Sequence, residues 1–286
     1  MILVTGASGK TGQAVVRALA RAGAPVRALV RDLSRSDELT TLGAREVLAA
    51  DMRVEAEMRP VFAGTQAVYH IGPNVHPQEL EIGLVALNAA RQAGVGHFVL
   101  HSVLHPQTEQ MPHHWHKLRM EEALLESGLA FTVLQPTAYM QNLLVQWHQI
   151  TEQGLVRNPY PVETRLSLVD LADVAEVAAV VLTHDGHKGA TYELVGTQPL
   201  SQTEAAEILG KALGIAVRAE AESIADWDIR AAAAGLAEPR RAILIKMFEY
   251  YARHGLVGNP KTLGWLLGRE PSSLATFARR AAGRIR

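Results

Sequence analysis

The sequence predicts an α/β protein: a doubly wound parallel sheet with a smaller, mostly helical C-terminal lobe. Three observations carry this. Short apolar runs alternate with helix-period segments through the first half of the 286 residues. A glycine triplet, Gly6, Gly9 and Gly12, separates the first apolar run from the first helical one. Beyond residue 196 the pattern changes to helical spacing rich in alanine and leucine.

Residues 2–5 (ILVT) read as a buried strand, and 11–23 as a helix stopped by Gly23. Strands follow at 25–30 and 44–49, a helix near 54–62, and a strand at 66–71. A long helix over 77–93 leads to the strand 97–102, and a helix over 113–127 to the strand 130–135. Repeated βα units with short apolar strands need helices on both faces of the sheet. Residues 169–183 read as a helix capped by Asp170, and 191–196 as a strand returning to the sheet. Ser201 and Glu204 form a capping box for the next helix. The expected division is a sheet domain over 1–154, with 165–196 returning to it, and a lobe made of 155–164 and 197–286.

Composition narrows the function classes. A formal net charge of -1 gives no basic field for nucleic acid or anionic membrane. Arg279, Arg280, Arg284 and Arg286 read as a solvated terminal helix face. Without cysteine there is no disulfide, thiolate catalysis or cysteine-held metal. No apolar run approaches the ~20 residues of a spanning helix, and no signal peptide is visible, so a cytoplasmic location is expected.

The glycine triplet gains meaning from its place between strand and helix. Gly6 permits a tight turn, Gly9 lets backbone N–H groups approach a pyrophosphate, and Gly12 lets the helix pack closely on the sheet. Phosphates then rest at the positive end of the first helix, with Ala7, Ser8, Lys10 and Thr11 completing the loop. A Rossmann-type dinucleotide site is the reading; the spacing differs from a P-loop, so ATP hydrolysis is not expected. At the end of the second strand stands Arg31, whose forked donors suit a 2′-phosphate, with Arg35 able to assist. That favours NADP(H) over NAD(H). The competing reading leaves Arg31 on the surface and gives the ribose to Asp32. Asp51 and Met52, after the third strand, are candidates for the adenine edge; alternatively Asp51 caps the helix at Val54.

None of the six tyrosines has a lysine four residues on, so the Y-x-x-x-K of classical short-chain dehydrogenases is missing. In its place stands HHWHK, residues 113–117, with His113 and Lys117 on one helical face. Ser102 ends the preceding strand. Lys117 is the candidate to hold a nicotinamide ribose and His113 a candidate proton donor. Against these stand a solvated Lys117 paired with Glu121, and a surface His113. The histidines at 101, 105, 113, 114 and 116 lack a clear three-ligand metal spacing, and no metal is expected.

GASGKTG, LVRD, HIGP, Lys117, QPTAYMQNLL (135–144) and VDLADVAEVAAVVL together resemble the NmrA-like atypical short-chain dehydrogenases. The resemblance spans nearly the whole chain and is greatest to the type-2 NADPH quinone oxidoreductase and triphenylmethane reductase branches. It implies a Rossmann domain, NADPH, and a substrate cleft between that domain and the C-terminal lobe. It also implies a nicotinamide side lined by Ile71, Gly72 and Pro73 and by Pro136, Thr137 and Tyr139. His76, Tyr139, Met140 and Trp147 are candidates to surround a quinone or similar aromatic acceptor, with plain packing as the alternative for each. The expected function is NADPH-dependent reduction of such an acceptor, by a monomer or homodimer. The alternatives are a dinucleotide sensor acting on a regulatory protein partner and a reductase of specialised metabolism.

Overall fold

The computed structural model describes residues 1–285, with side chains through Gly283. Its centre is a seven-stranded parallel sheet in the order β10-β6-β5-β4-β1-β2-β3. The strands are β1 (Ile2–Val4), β2 (Val26–Val30), β3 (Ala44–Ala49), β4 (Ala67–His70), β5 (His97–His101), β6 (Phe131–Pro136) and β10 (Ala190–Leu194). Helices α1 (Lys10–Arg21), α3 (Glu55–Phe62), α4 (Glu79–Gln92), α5 (Pro112–Glu126) and α7 (Leu171–Thr183) alternate with them. The chain order reverses between β1 and β4, and at such a switch point a crevice opens beyond the carboxyl ends of the strands.

Chain contacts divide the molecule into two compact units, and each is described separately. The first comprises 1–108, 113–135 and 174–192; the second comprises 109–112, 136–173 and 193–286. Residues 136–154 therefore group with the second unit, earlier than the boundary expected after 154. Their side chains explain it: Met140, Trp147 and Ile150 bury themselves against Leu209, Phe277 and Ala278.

In the first unit the strands are apolar because both faces are covered. Leu3, Val68, Phe98 and Val133 join Phe62, Leu87, Met120 and Leu124 in one core, while α1 buries Val15, Val16 and Leu19. Between β2 and β3 the sequence reading found no helix; the structure has a 3-10 turn at Leu33–Arg35 and α2 (Ser36–Thr41). Its short polar run offers no apolar stripe to read. Arg27 on β2 reaches Glu46 on β3 at 2.7 Å.

The second unit contains more strand than expected. β8 (Leu155–Asn158) pairs in parallel with β11 (Arg218–Ala221), and β7 (Ala138–Tyr139) with β9 (Leu168–Val169). The helices α6 (Trp147–Gln153), α8 (Gln202–Leu213), α9 (Ile224–Ala233), α10 (Glu238–His254), α11 (Lys261–Leu267) and α12 (Leu274–Ile285) make up the rest. The capping box of Ser201 and Glu204 starts α8 as read. Asp170 accepts from the Ala172 N–H at 2.9 Å at the start of α7. Arg280 is no solvated charge: it pairs with the buried Asp170 carboxylate. Arg284 and Arg286 lie outside the described side chains. Among the described residues no helix is long and apolar enough to cross a membrane.

The turn after β1 fixes where α1 begins. Gly6 sits at φ +60, the left-handed region. A Cβ on Gly12 would stand 2.4 Å from the Gly6 carbonyl oxygen and 2.5 Å from Ala7 Cα. The third glycine thus admits the backbone of the turn itself, where the sequence reading had assigned it to packing on the sheet. Gly12→Ala is expected to destabilise the fold by about 1–3 kcal/mol through this overlap. Chemical denaturation checks it; an unchanged midpoint would mean the turn yields freely.

Candidate functional site

The phosphate cradle is built as its residues require. Gly9 is the N-cap of α1, no side chain caps that end, and no acid occupies the first turn. A Cβ on Gly9 would meet only the Gly6 carbonyl, at 3.4 Å, so the space above it is open. An uncapped helix end with an open glycine in front is an anion-receiving arrangement, and a dinucleotide diphosphate fits it. Ala7 is buried, and its N–H donates to the Leu29 carbonyl at 3.0 Å. The Ser8 carbonyl accepts from Gln13 Nε2 at 3.1 Å and from Arg35 Nη1 at 3.1 Å. Lys10 is exposed and Thr11 buried at the first turn.

At the end of β2 the competing residues have different commitments. Arg31 is exposed and makes no hydrogen bond or ion pair among the described residues. The Asp32 carboxylate caps the following turn through the Ser34 N–H at 3.0 Å and the Ser34 hydroxyl, which hold it below the usual carboxylate range. Asp51 does not cap α3, whose N-cap is Val54 without a side-chain bond. Its carboxylate grips Arg53, at 2.5 Å from Nη2, and Arg53 lowers it to about 2. Met52 packs against the core.

A second group gathers at the carboxyl ends of β4, β5 and β6. Lys117 is 8% exposed and Glu79 5%. Lys117 Nζ donates to Glu79 Oε1 at 2.5 Å. The expected partner, Glu121, is engaged elsewhere: it accepts from the Ser102 hydroxyl and, at 3.0 Å, from Gln135 Nε2. The solvated-lysine reading is therefore overturned, because α5 turns Lys117 inward between β5 and the start of α4. Burial raises the Glu121 carboxyl above its ordinary value, and the Ser102 and Gln135 donors oppose that. A small cavity of about 10 Å³ is lined by Gly72, Glu79, Leu100, His101, Ser102, Lys117 and Met120.

Histidines surround this group. His101 Nδ1 lies 2.6 Å from the Tyr69 hydroxyl and His70 Nδ1 lies 3.1 Å from Thr5 Oγ1. Thr5 Oγ1 also accepts from the Ile71 N–H at 2.8 Å, so Ile71 leads straight from this cluster. Burial lowers His70 and His101 each to about 3. His113 is buried, not on the surface, and burial with its neighbours His114, Lys117 and His116 takes it to about 2. A neutral imidazole is the wrong form for the proton donor that the sequence suggested. Among the described residues no three or more His, Asp or Glu are grouped to hold a metal.

A family model described as "NmrA-like family" matches residues 1–278. The chain belongs to the NmrA-like family. It is 32% identical to the NAD(P)H azoreductase of Xenophilus azovorans, over 98% of this chain and 97% of that one. Among solved structures it is similar to the NADPH-dependent quinone oxidoreductase of Escherichia coli complexed with NADPH. The TM-score is 0.86 at 27% identity, over 99% of this chain and 100% of that one. The triphenylmethane reductase of Citrobacter sp. complexed with NADP(H) gives 0.86 at 25% identity, over 98% and 99%.

The remaining candidates are dispersed. In the first unit, His76 Nδ1 accepts from the Gln78 N–H at 3.1 Å just before α4, which occupies that ring nitrogen. Gly72 and Pro73 continue the half-buried loop after β4. In the second unit, Pro136 is buried, the Thr137 hydroxyl donates to the Ser167 carbonyl at 2.9 Å, and Tyr139 is half-buried on β7. Met140 and Trp147 are core residues, and Trp147 stands edge-on to Phe277 at 6.4 Å. Packing, the alternative reading for these two, is what their surroundings dictate. The sequence missed Glu79, His70 and Gln135. Glu79 reads as an ordinary first-turn acid, but His70 and Gln135 had a visible sign: each is polar at the end of an apolar strand.

Five buried histidines set an acid limit. His97 and His114 are also lowered, each to about 4, chiefly by burial. The unfolded chain protonates all five near pH 6.5, whereas the NmrA-like fold does not until far lower. Between about pH 6.5 and 4 the unfolded state binds more protons, so stability falls with pH, by up to about 1.4 kcal/mol per unit per histidine. Glu121 acts in the other sense: its raised value leaves a penalty that grows as pH rises through it. Denaturant midpoints measured from pH 7 to 5 are expected to fall steeply, and His113→Gln to flatten the slope. An equal slope in both proteins would remove His113 from this account.

Proposed function

We propose that this NmrA-like protein is an NADP(H)-dependent reductase that passes a hydride to a quinone or a similarly flat, conjugated aromatic acceptor. The observation that carries the reading is the open glycine at the uncapped start of α1, followed along the sheet edge by the unengaged Arg31. Relatives named as an azoreductase and a quinone oxidoreductase support the acceptor class.

The nicotinamide, when bound, supplies the hydride. The chain's own contribution is position and electrostatics. Backbone N–H groups of the Gly6–Gly12 turn would hold the diphosphate, and Arg31 would offer forked donors to a 2′-phosphate. Lys117, an ammonium at the carboxyl ends of the strands, is suited to bond the nicotinamide ribose and fix the ring's attitude. The acceptor gains a hydride and one proton. With His113 neutral and no Y-x-x-x-K tyrosine, that proton comes from solvent, which suits an acceptor whose reduced form is readily protonated in water.

Purified protein mixed with NADPH and a panel of quinones and azo compounds is expected to lose nicotinamide absorbance in an acceptor-dependent way. Tight NADPH binding with no turnover on any acceptor would point to a dinucleotide sensor instead. Arg31→Ala is expected to weaken NADPH by about 10-fold or more, the scale of a charge-assisted pair of hydrogen bonds, and to leave NADH nearly unchanged. Calorimetric titration with both coenzymes measures this, and equal losses would take the 2′-phosphate away from Arg31.

A further inference from the structure

The Lys117–Glu79 pair is more deeply buried than the pairs Arg27–Glu46, Arg35–Glu38, Arg53–Asp51, Arg59–Glu55 and Arg119–Glu122 of the same unit. A buried pair is a poor source of stability, because desolvation offsets the attraction unless every remaining lone pair is satisfied. Here one is not: Glu79 Oε2 is buried without a hydrogen-bond partner. Buried carboxylate oxygens are ordinarily filled. A pair that adds little stability, left half-satisfied beside a cavity, is best explained by what it does to the lysine.

We propose that Glu79 is the positioning residue for Lys117: its carboxylate keeps the buried amine charged and aims it at the carboxyl ends of β4 and β5. Among the described residues no other group facing Lys117 can do this. From β4 and β5 it faces His70 and His101, and from its own helix His113, His114 and Glu121. The four histidines are held neutral by burial. Glu121 is bonded to Ser102 and Gln135. Glu79 therefore supplies the counter-charge, from a different helix 38 residues away in sequence. The kinetic part of the inference rests on the reductase reading; the charge assignment does not.

Two readouts separate them. Lysine side-chain NMR on the full chain, enriched in ¹³C-lysine, follows each ammonium through its titration, and Lys117→Met identifies the resonance. In Glu79→Gln, which keeps the shape but removes the charge, Lys117 is expected to lose its proton about 1–3 pH units lower than in the parent protein. Glu79→Asp, which keeps the charge, restores most of the difference, and Glu79→Ala, which like the Gln variant lacks the charge, decides the matter if the Gln variant does not fold. In turnover, Glu79→Gln gains a loss of kcat on the alkaline side at that same pH. A purely structural role for Glu79 would lower Tm and leave both pH profiles in place. Coincident Lys117 titrations in the parent and in an uncharged variant overturn the proposal. If the parent reduces no acceptor, the reductase reading falls while the NMR titration still decides for or against Glu79.

Discussion

The architecture depends on how closely α1 approaches the turn that leaves β1. Only hydrogen at position 12 allows the helix to start against the Gly6 and Ala7 backbone. That contact places the first free N–H groups of the helix at the carboxyl edge of the sheet, where a switch-point crevice forms. The candidate site residues of the first unit gather at the same edge. Thr5, His70, His101, Ser102 and Gln135 each stand at the end of an apolar strand or just beyond it. The division is physical: strand interiors are covered on both faces and tolerate little polarity, while strand ends reach open crevice.

That edge holds many ionisable groups in little water, and the chain manages them in three ways. Histidines are left uncharged by burial. Glu121 is given neutral donors from Ser102 and Gln135. Lys117 alone is matched with an opposite charge. A buried ion pair among neutral histidines gives a directional field at low dielectric, which is worth more than the same pair in water. The orphaned nitrogens His113 Nδ1 and His114 Nε2 show the associated cost, since stability is given up there for close packing.

Much of this was legible in the sequence because local rules and the global fold agree. The βα alternation, the Gly6–Gly12 turn and the Ser201 capping box were each set by residue type and spacing over a few positions. Arg31 was distinguishable from Asp32 only by position; that Asp32 is spent on Ser34 needed coordinates. Lys117 was visible, but its partner was not. Helix spacing pointed to Glu121, whereas the true contact crosses from α5 to α4, and no periodicity encodes a pairing 38 residues apart. Met140 and Trp147 failed for a related reason. A large apolar side chain reads alike whether it lines a pocket or fills a core, and the partners that decide, Leu209 and Phe277 among them, come from distant segments.

The order of the sheet leaves β3 on one rim and β10 on the other. A rim strand has backbone donors and acceptors with no neighbour, which invites another chain to zip onto it. On β3 the answer is electrostatic: Arg45 is exposed, and Glu46 is tied to Arg27 rather than left to recruit a stranger. Making that rim apolar would invite fibrous self-association at high concentration, while the fold and the polar carboxyl edge of the sheet stayed intact.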